Sequence, residues 1–409
     1  RDNTAGSAAA ISTYQAVSIT INNSVISNNA NTSGGGGVIF VSDYTTVSIN
    51  STLIADNTGA IYGYPGNSYP LTLNNVTITA NHSNSEIGNA ISIISGAASP
   101  SISIANSIIS NNGDSTQIHF AADTDPTLTI SYTDLEDGES GITDVGTVTW
   151  GNGNINADPM FVDTANANYH LLASSRCING GNPGSTADSD GTVADMGPYP
   201  YLNSYSGPTW YITEDGNDST ATGASDDPFR SIQAGINFSS GGDSVTVAAG
   251  TYVENVSLNK TIVLMSSEGA DSTIIDANNF GTVVTITDGS DATLDGFTLQ
   301  NGYTSGSNTK SGGLIVLNND AIIKNCIIKN NQGHQGGGIY SQAGSFYNCQ
   351  IIDNTAEFTG GGVEVNQIGG NSEYQLFENC LIANNHCGTG AGIYGWCRLV
   401  NTSVVNNTG

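Results

Sequence analysis

Positively charged residues are scarce in this 409-residue chain. It has 8 lysines and arginines against 36 aspartates and glutamates, a formal net charge of −28 at pH 7. So few cationic side chains cannot neutralise a run of phosphates, so the composition argues against nucleic acid as a partner. The same shortage disfavours an anionic membrane surface. An acidic balance suits solubility outside the cell and the binding of divalent cations such as calcium.

Long apolar runs and closely spaced cysteines are also missing. No run approaches the roughly 18 apolar residues of a membrane-spanning helix. The first residues, RDNTAGSAAA, lack the features of a signal peptide, and Arg1 looks like an interior position of a larger protein. The 6 cysteines never occur as CxxC, which argues against a zinc site and a disulfide scaffold.

A nine-residue block, aliphatic-x-Asn-x-x-aliphatic-x-x-Asn, recurs in both end regions of the chain. Its ten copies start at Ile21, Ile49, Leu73, Ile104, Ile130, Leu294, Ile323, Phe346, Phe377 and Leu399. Successive copies within each region are 22 to 31 residues apart. This period, with its variable length, is typical of a β-solenoid whose loops vary while its strands keep register.

The sixth position of the block is aliphatic in every copy. It is occupied by Ile26, Ile54, Ile78, Ile109, Leu135, Leu299, Ile328, Ile351, Ile382 and Val404. We expect these side chains to stack inward, in coils about 4.8 Å apart. The sequence therefore predicts an all-β protein, a right-handed parallel β-helix with a short capping helix.

Asparagine dominates the third and ninth positions of the block. The third-position residues, which we predict to form a structural ladder, are Asn23, Asn75, Asn106, Asn325, Asn348, Asn379 and Asn401. Asparagine tolerates the left-handed backbone of a sharp bend, and its amide can bond to the asparagine of the next coil. A structural bend is favoured here over a ligand-binding row. Gly-rich corners such as Gly34–Gly37 and Gly336–Gly338 precede the next strand and permit close contact between coils.

The order of segments predicts a solenoid that is interrupted in the middle. Residues 1–155 are expected to form its C-terminal coils and 156–208 its closing segment. Residues 209–260 should hold an opening strand and a capping helix that starts at Asp227 and Pro228, and 261–409 the N-terminal coils. The step from Leu399 through the chain end to Ile21 would be 31 residues. We therefore expect either one period of a head-to-tail polymer or two half-domains of a longer protein.

Three carboxylates in DSDGTVAD are the best metal candidates. Asp188 and Asp190 alternate before a glycine and Asp195 follows it, as in calcium loops, although Asx turns are the alternative interpretation of the pattern. Calcium is the only cofactor the sequence suggests.

The cysteines and aromatic residues leave several alternatives open. Cys326, Cys349 and Cys380 occupy one column and should be stacked thiols or form one bridge. Cys387 and Cys397 flank a Gly-rich turn and form a possible disulfide. The aromatic cluster Tyr62, Tyr64 and Tyr69 suggests either sugar stacking or loop packing.

No catalytic residues are assigned. Lys324 and Lys329 should face solvent, and carboxylates such as Glu364, or Asp134, Glu136 and Asp137, do not recur in columns.

Several stretches resemble the right-handed parallel β-helix repeat superfamily, in the pectate-lyase-like group. They are the N-C-x-I and GGGIY blocks, WYITEDGNDSTATGASDDPFRSIQAGI, ADPMFVDTANANYHLLASSRCINGGNP and DSDGTVADMGPY. They are most similar to large secreted bacterial surface proteins of the polymorphic outer membrane protein type. The resemblance implies the fold firmly, but the superfamily hosts lyases, hydrolases, adhesins and fibres.

Two classes of function follow as expectations. The first is an extracellular or cell-surface structural or adhesive solenoid that associates head-to-tail into a filament and contacts glycans or other cells. The alternative is a polysaccharide-binding or polysaccharide-cleaving β-helix. A groove lined with aromatic residues and carboxylates would favour the alternative.

Overall fold

The chain folds into two compact units, Arg1–Leu202 (unit 1) and Asn203–Gly409 (unit 2). The computed structural model describes residues 1–5, 10–13, 18–32, 37–41, 45–63, 70–82, 90–93, 100–113, 116–121, 125–143, 146–287, 289–307, 309–317, 320–366 and 375–409. Gly34–Gly36, Tyr64 and Tyr69 lie outside these ranges.

Unit 1 is a stack of coils whose strands pair in parallel with the corresponding strands of neighbouring coils. Sheet 1 contains Ile11–Ser12, Ile39–Val41, Ile61–Gly63, Ile91–Ile93, Ile118–Phe120 and Ile142–Thr143. Sheet 2 contains Ser18–Asn22, Val25–Ser27, Thr46–Ala55, Pro70–Thr79, Ser101–Ala105, Ile108–Ser110, Thr127–Ser131, Asp134–Leu135 and Thr147–Trp150. A small pair, Thr4–Ala5 with Ala30–Asn31, lies beside them.

The sixth-position aliphatic residues of unit 1 form the predicted stack. Ile26 pairs with Ile54, Ile54 with Ile78, Ile78 with Ile109 and Ile109 with Leu135. All five are buried in one continuous apolar core. Each coil therefore covers the apolar side chains of its neighbours, as a solenoid requires.

Unit 2 has the same construction with three long sheets. Sheet 3 contains Thr209–Ile212, Ser244–Val247, Val263–Ser266, Thr293–Asp295, Ile322–Lys324, Ser345–Tyr347, Gln375–Glu378 and Cys397–Val400. Sheet 4 contains Gly250–Val253, Thr273–Asp276, Thr298–Gln300, Ile327–Lys329, Gln350–Ile352, Leu381–Ala383 and Ser403–Val405. Sheet 5 contains Val256–Leu258, Val284–Ile286, Leu314–Val316, Ile339–Ser341, Val363–Val365 and Ile393–Tyr394. A short pair, Gln332–Gln335 with Thr355–Thr359, lies on the flank between sheets 4 and 5.

The core of unit 2 repeats the stack of unit 1. Leu299, Ile328, Ile351 and Ile382 pair in successive coils and are completely buried. A second column places the rings of Phe346 and Phe377 4.5 Å apart and parallel within 2°. The predicted parallel β-helix is confirmed in both units.

Unit 2 contains the predicted capping helix, helix α1, at Ile232–Phe238. Every residue of this helix is buried. It begins later than predicted, because the Asp227 carboxylate accepts hydrogen bonds from the backbone and hydroxyl of Thr222 instead of capping the helix. Phe229 pairs with Ile212 as extended backbone. The cap comes from Glu254, whose two oxygens accept the backbone N–H groups of Ile232 and Gln233 at 2.8 and 3.0 Å.

The closing segment of unit 1 is irregular apart from one antiparallel hairpin. Phe161–Asp163 pairs with Asn168–Leu171 across a 3₁₀ turn at Thr164–Asn166. Another 3₁₀ turn, Gly138–Gly141, lies before this segment, among the coils. Among the described residues, no helix is both long and apolar enough to cross a membrane.

Candidate functional site

The third-position asparagines form bends. All seven have left-handed backbone, with φ between 47° and 57°. Their side chains pair only in places: the Asn348 amide donates to Asn325 at 3.2 Å, and the Asn325 amide donates to Asp295 at 2.7 Å. In unit 1 the Asn106 side-chain oxygen accepts the backbone N–H of Asn182 at 2.7 Å and so holds the closing segment against the coils.

A continuous ladder lies in the ninth-position column instead. Each side-chain amide donates to the side-chain oxygen of the next asparagine at 2.9 to 3.0 Å, in the buried series Asn29, Asn57, Asn81 and Asn112, and again in Asn331, Asn354, Asn385 and Asn407. These groups satisfy one another inside the solenoid, so this column is structural and not a binding site.

The three aspartates proposed for calcium hold the closing segment together. Asp195 accepts the backbone N–H groups of Asn179 and Tyr201 with its two oxygens, both at 2.7 Å. Asp188 accepts the backbone N–H of Asp195, and Asp190 bonds Thr192. Burial raises the pKa of Asp195 to about 7, against the bonds from its two amide partners. In the described part of the chain, no three carboxylate, histidine or cysteine groups converge on one metal position, and calcium binding by this loop stays a prediction.

All six cysteines are free thiols. Cys326, Cys349 and Cys380 are buried in one column, where each thiol donates to backbone carbonyls. The disulfide between Cys387 and Cys397 is not formed. Cys387 lies on the flank between sheets 4 and 5, whereas Cys397 begins a strand of sheet 3, so the turn between them spans two sides of the coil.

Unit 1 contains an open cleft of about 820 Å³ between its coils and its closing segment. It is lined by Thr79, Ala80, His82, Ser110, Asn111, Glu136, Asp137, Asn156, Ala157, Asp158, Pro159, Met160, Phe161, Thr164, Tyr169 and Leu172. The cleft thus combines three carboxylates, the Phe161 and Tyr169 rings, the His82 imidazole and several amide and hydroxyl groups. We call it the acidic cleft.

Hydrogen bonds fix two of the three carboxylates of the acidic cleft, those of Glu136 and Asp158. Glu136 accepts the backbone N–H of Asn111 at 2.7 Å and the amide of Gln117 at 3.0 Å through one oxygen. Asp158 accepts the backbone N–H of Met160 at 2.8 Å. Asp137 has left-handed backbone with φ of 64°, and its residue is exposed. Rigid acceptors of this kind suit the hydroxyl groups of a ligand.

The aromatic wall of the acidic cleft comes from the hairpin. The rings of Phe161 and Tyr169 meet edge to face, with centroids 5.4 Å apart. The Tyr169 hydroxyl donates to Asp56 at 2.9 Å, and burial together with this carboxylate raises the pKa of Tyr169. Behind the wall, burial raises the pKa of Asp134 to about 7, and this carboxyl accepts the backbone N–H of Ala157 at 3.0 Å.

The sequence indicated only part of this site. It draws attention to Glu136 and Asp137 as neighbouring carboxylates, but it does not indicate Asp158, Phe161 or Tyr169. No local signal joins them, because the hairpin folds back onto coils that are far away in sequence. The other aromatic candidate, Tyr62, stacks on Phe40 with ring centroids 5.9 Å apart.

A family model described as "Protein of unknown function (DUF1565)" matches residues 214–267. This segment includes helix α1 and the four strands from Ser244–Val247 to Val263–Ser266. The family consists of parallel β-helix proteins, in agreement with the coils of both units, but it assigns no function. No curated protein and no solved structure matches the chain significantly. The finer resemblance, to the polymorphic outer membrane protein type, stays a prediction.

Proposed function

We propose that this chain is a structural, adhesive β-solenoid of the extracellular space, and that it binds polysaccharide in the acidic cleft without cleaving it. The observation that carries the proposal is the combination in one cleft of fixed carboxylate acceptors with the Phe161 and Tyr169 rings. Carboxylates accept hydrogen bonds from sugar hydroxyls, and aromatic rings pack against the apolar faces of sugars. The net charge of −28 suits a secreted surface and favours uncharged glycans over polyanions.

The hydrogen bonds that the carboxylates of the cleft already accept favour binding of a glycan over its cleavage. Glu136 and Asp158 each use an oxygen to accept backbone N–H groups, and the buried Asp134 is engaged in the same way. These bonds hold segments of the chain in place. A structural role for the carboxylates supports an adhesive surface rather than a catalytic pair.

The test compares two exposed carboxylates that are neighbours in sequence. Asp137 lines the cleft and Glu139 does not. Asp137→Asn should weaken binding to neutral hexasaccharides at least fivefold by isothermal titration calorimetry, while Glu139→Gln, with the same charge change, should bind like the unsubstituted chain. Equal affinity of the two variants, or no binding to any glycan of a panel, would contradict the proposal.

Self-association is a second candidate, because one coil leaves core positions uncovered. Leu399 and Val404 are 44% and 41% exposed, whereas their partners Phe377 and Ile382 in the preceding coil are fully buried. We propose that a coil of a second copy covers them and so continues the stack head to tail.

Sedimentation velocity across a hundredfold range of concentration tests this self-association. The chain should sediment as larger species at high concentration, and Val404→Asp should abolish them. Val253 is 65% exposed on another strand of sheet 4, and Val253→Asp should leave the larger species in place. A monomer at every concentration would refute self-association and leave the glycan proposal untouched.

A further inference from the structure

One flank of unit 2 exposes large aromatic side chains in neighbouring coils. This flank lies where the chain leaves sheet 4 and turns towards sheet 5. Phe280, Tyr303 and Phe358 project there and are 78%, 42% and 60% exposed. A single exposed aromatic residue is ordinary in a folded protein, but several on one flank of successive coils form an exposed apolar surface of the kind that binds ligands.

Backbone pairing places these residues in successive coils. Gly281, next to Phe280, bridges to Tyr303, and Tyr303 bridges to Gln332 in the following coil. Gln332 in turn pairs with Thr355 in the coil that carries Phe358. Because parallel coils are about 4.8 Å apart, Phe280 and Phe358 are about three coil steps, or roughly 14 Å, apart along the axis.

The coil between Tyr303 and Phe358 contributes His334. Its ring stacks on Phe358 with centroids 5.6 Å apart and planes within 3°. Glu357 holds this arrangement, since its carboxylate contacts the His334 ring nitrogen at 3.1 Å and accepts the backbone N–H of Gly306 at 3.4 Å. The pKa of Glu357 is lowered chiefly by its bond with His334. We call Phe280, Tyr303, His334 and Phe358 the aromatic row.

Each of four successive coils contributes one ring to the aromatic row, and the coil spacing of about 4.8 Å is comparable to the length of one sugar unit in an unbranched polysaccharide. Aromatic side chains bury apolar area at a low entropic cost and can pack against the C–H faces of sugar rings. Beside them, Glu357 supplies an acceptor for sugar hydroxyls. The row therefore offers repeated contacts along a linear chain of sugars.

The charged groups of the protein indicate whether the row binds a neutral or a charged glycan. Two cations lie near the row in sequence. Lys329 ends the sheet 4 strand that precedes His334. Lys310 is engaged with Tyr340: its ammonium donates to the hydroxyl at 2.9 Å and lies 4.0 Å from the ring centroid. The exposed Glu357 and the net charge of −28 repel polyanions. We propose that the aromatic row binds an uncharged, unbranched polysaccharide that lies along the solenoid axis of unit 2. This site is separate from the acidic cleft of unit 1, and neither proposal depends on the other.

The test uses neutral gluco-oligosaccharides with the whole chain. Calorimetry with cellobiose, cellohexaose and laminarihexaose should show tighter binding to at least one hexasaccharide than to the disaccharide, because several rings act together. Phe280→Ser and Phe358→Ser should each weaken hexasaccharide binding at least tenfold. Val253→Ser, which removes an exposed apolar side chain outside the row, should leave the affinity unchanged.

The two sites can be told apart by combining variants. Asp137→Asn should leave the Phe358-dependent part of the binding intact, and Phe358→Ser should leave the Asp137-dependent part intact. Circular dichroism and thermal melting check that each variant is folded. Binding that is unaffected by both phenylalanine substitutions, or a preference for polygalacturonate over the neutral glycans, would overturn the proposal for the aromatic row.

Discussion

At the scale of single residues, the asparagines of the third and ninth positions have different structural roles, although the two columns look alike in sequence. The third-position residues adopt left-handed backbone, and most of them face solvent. The ninth-position residues are buried, apart from the half-buried Asn407, and their amides are paired from coil to coil. An unpaired amide in the interior is costly, so the buried column should be far less tolerant of substitution.

Asn354→Ala should therefore destabilise unit 2 by about 3 kcal/mol or more. The substitution removes the oxygen that accepts the N–H and side-chain amide of Asn331, both at 3.0 Å, and the amide that donates to Ile328 at 2.9 Å. Several buried polar groups lose their partners at once. Urea denaturation followed by circular dichroism measures the loss, with the exposed Gln350→Ala as the control. A change below about 1 kcal/mol would show that water or backbone shifts replace the ladder.

The sequence could predict that asparagines form the bends and ladders, because the columns are visible in the repeat. It could not decide which column is inside, since that depends on the direction of the bend at each residue. In the same way, the sequence spacing of Asp188, Asp190 and Asp195 is by itself compatible with a calcium loop. In the structure, nearby N–H groups occupy these carboxylates, and those groups become neighbours only after folding.

At the scale of elements, the Gly-rich corners are explained by the ladder beside them. A Cβ atom added at Gly338 would lie 2.7 Å from the backbone oxygen of Gly362 and 2.8 Å from the Asn354 amide nitrogen. Similar contacts recur at Gly313 and Gly362. These corners therefore allow adjacent coils to approach over the asparagine column, as the sequence predicted in general terms.

Gly338→Ala should cost about 2 to 3 kcal/mol, because the new methyl group meets backbone and ladder atoms that cannot move independently. Gly388→Ala is the matched control: it lies in a corner of the same unit, and no atom would lie within 4 Å of its added Cβ. The melting temperature of Gly338→Ala should therefore be clearly lower than that of Gly388→Ala. Similar melting temperatures would mean that the coils can move apart without loss.

For the capping helix, the sequence predicts the apolar face but not the residue at which the helix begins. Its apolar face was evident, and Phe229, Ile232 and Ile236 are all buried. Its start was misplaced because Asp227 and Pro228 form a good local start signal, whereas the actual cap, Glu254, comes from a later segment of the chain. The acidic cleft was missed for the same reason, since its aromatic wall and its carboxylates come from separate segments.

At the scale of the whole molecule, the acidic surplus is accompanied by several buried carboxyls. Asp134 and Asp195 in unit 1 are buried and Glu254 in unit 2 is half-buried, and desolvation raises the pKa of each to about 7. In the unfolded chain the same groups have ordinary values near 4. Between pH 5 and 8, the folded chain therefore binds more protons than the unfolded chain.

This difference determines how stability depends on pH. For a carboxyl whose pKa is raised by folding, the stabilisation is complete below the unfolded pKa and is lost as pH rises through the folded value. Each tenfold difference in proton affinity is worth about 1.4 kcal/mol. The melting temperature should accordingly fall by roughly 5 °C between pH 5 and pH 8, when measured by calorimetry at constant ionic strength. Lower repulsion among the surface acids at pH 5 acts in the same direction.

Substitutions separate the buried carboxyls from the surface charge. Asp195→Asn and Glu254→Gln should each lower the melting temperature at pH 5, because an amide has only one oxygen to accept the two backbone N–H groups. Each substitution should also reduce the decrease in melting temperature between pH 5 and pH 8, since the substituted group no longer titrates. Glu268→Gln removes an exposed charge and should leave the slope unchanged. If all three variants keep the slope of the original chain, the pH dependence comes from the surface charge alone.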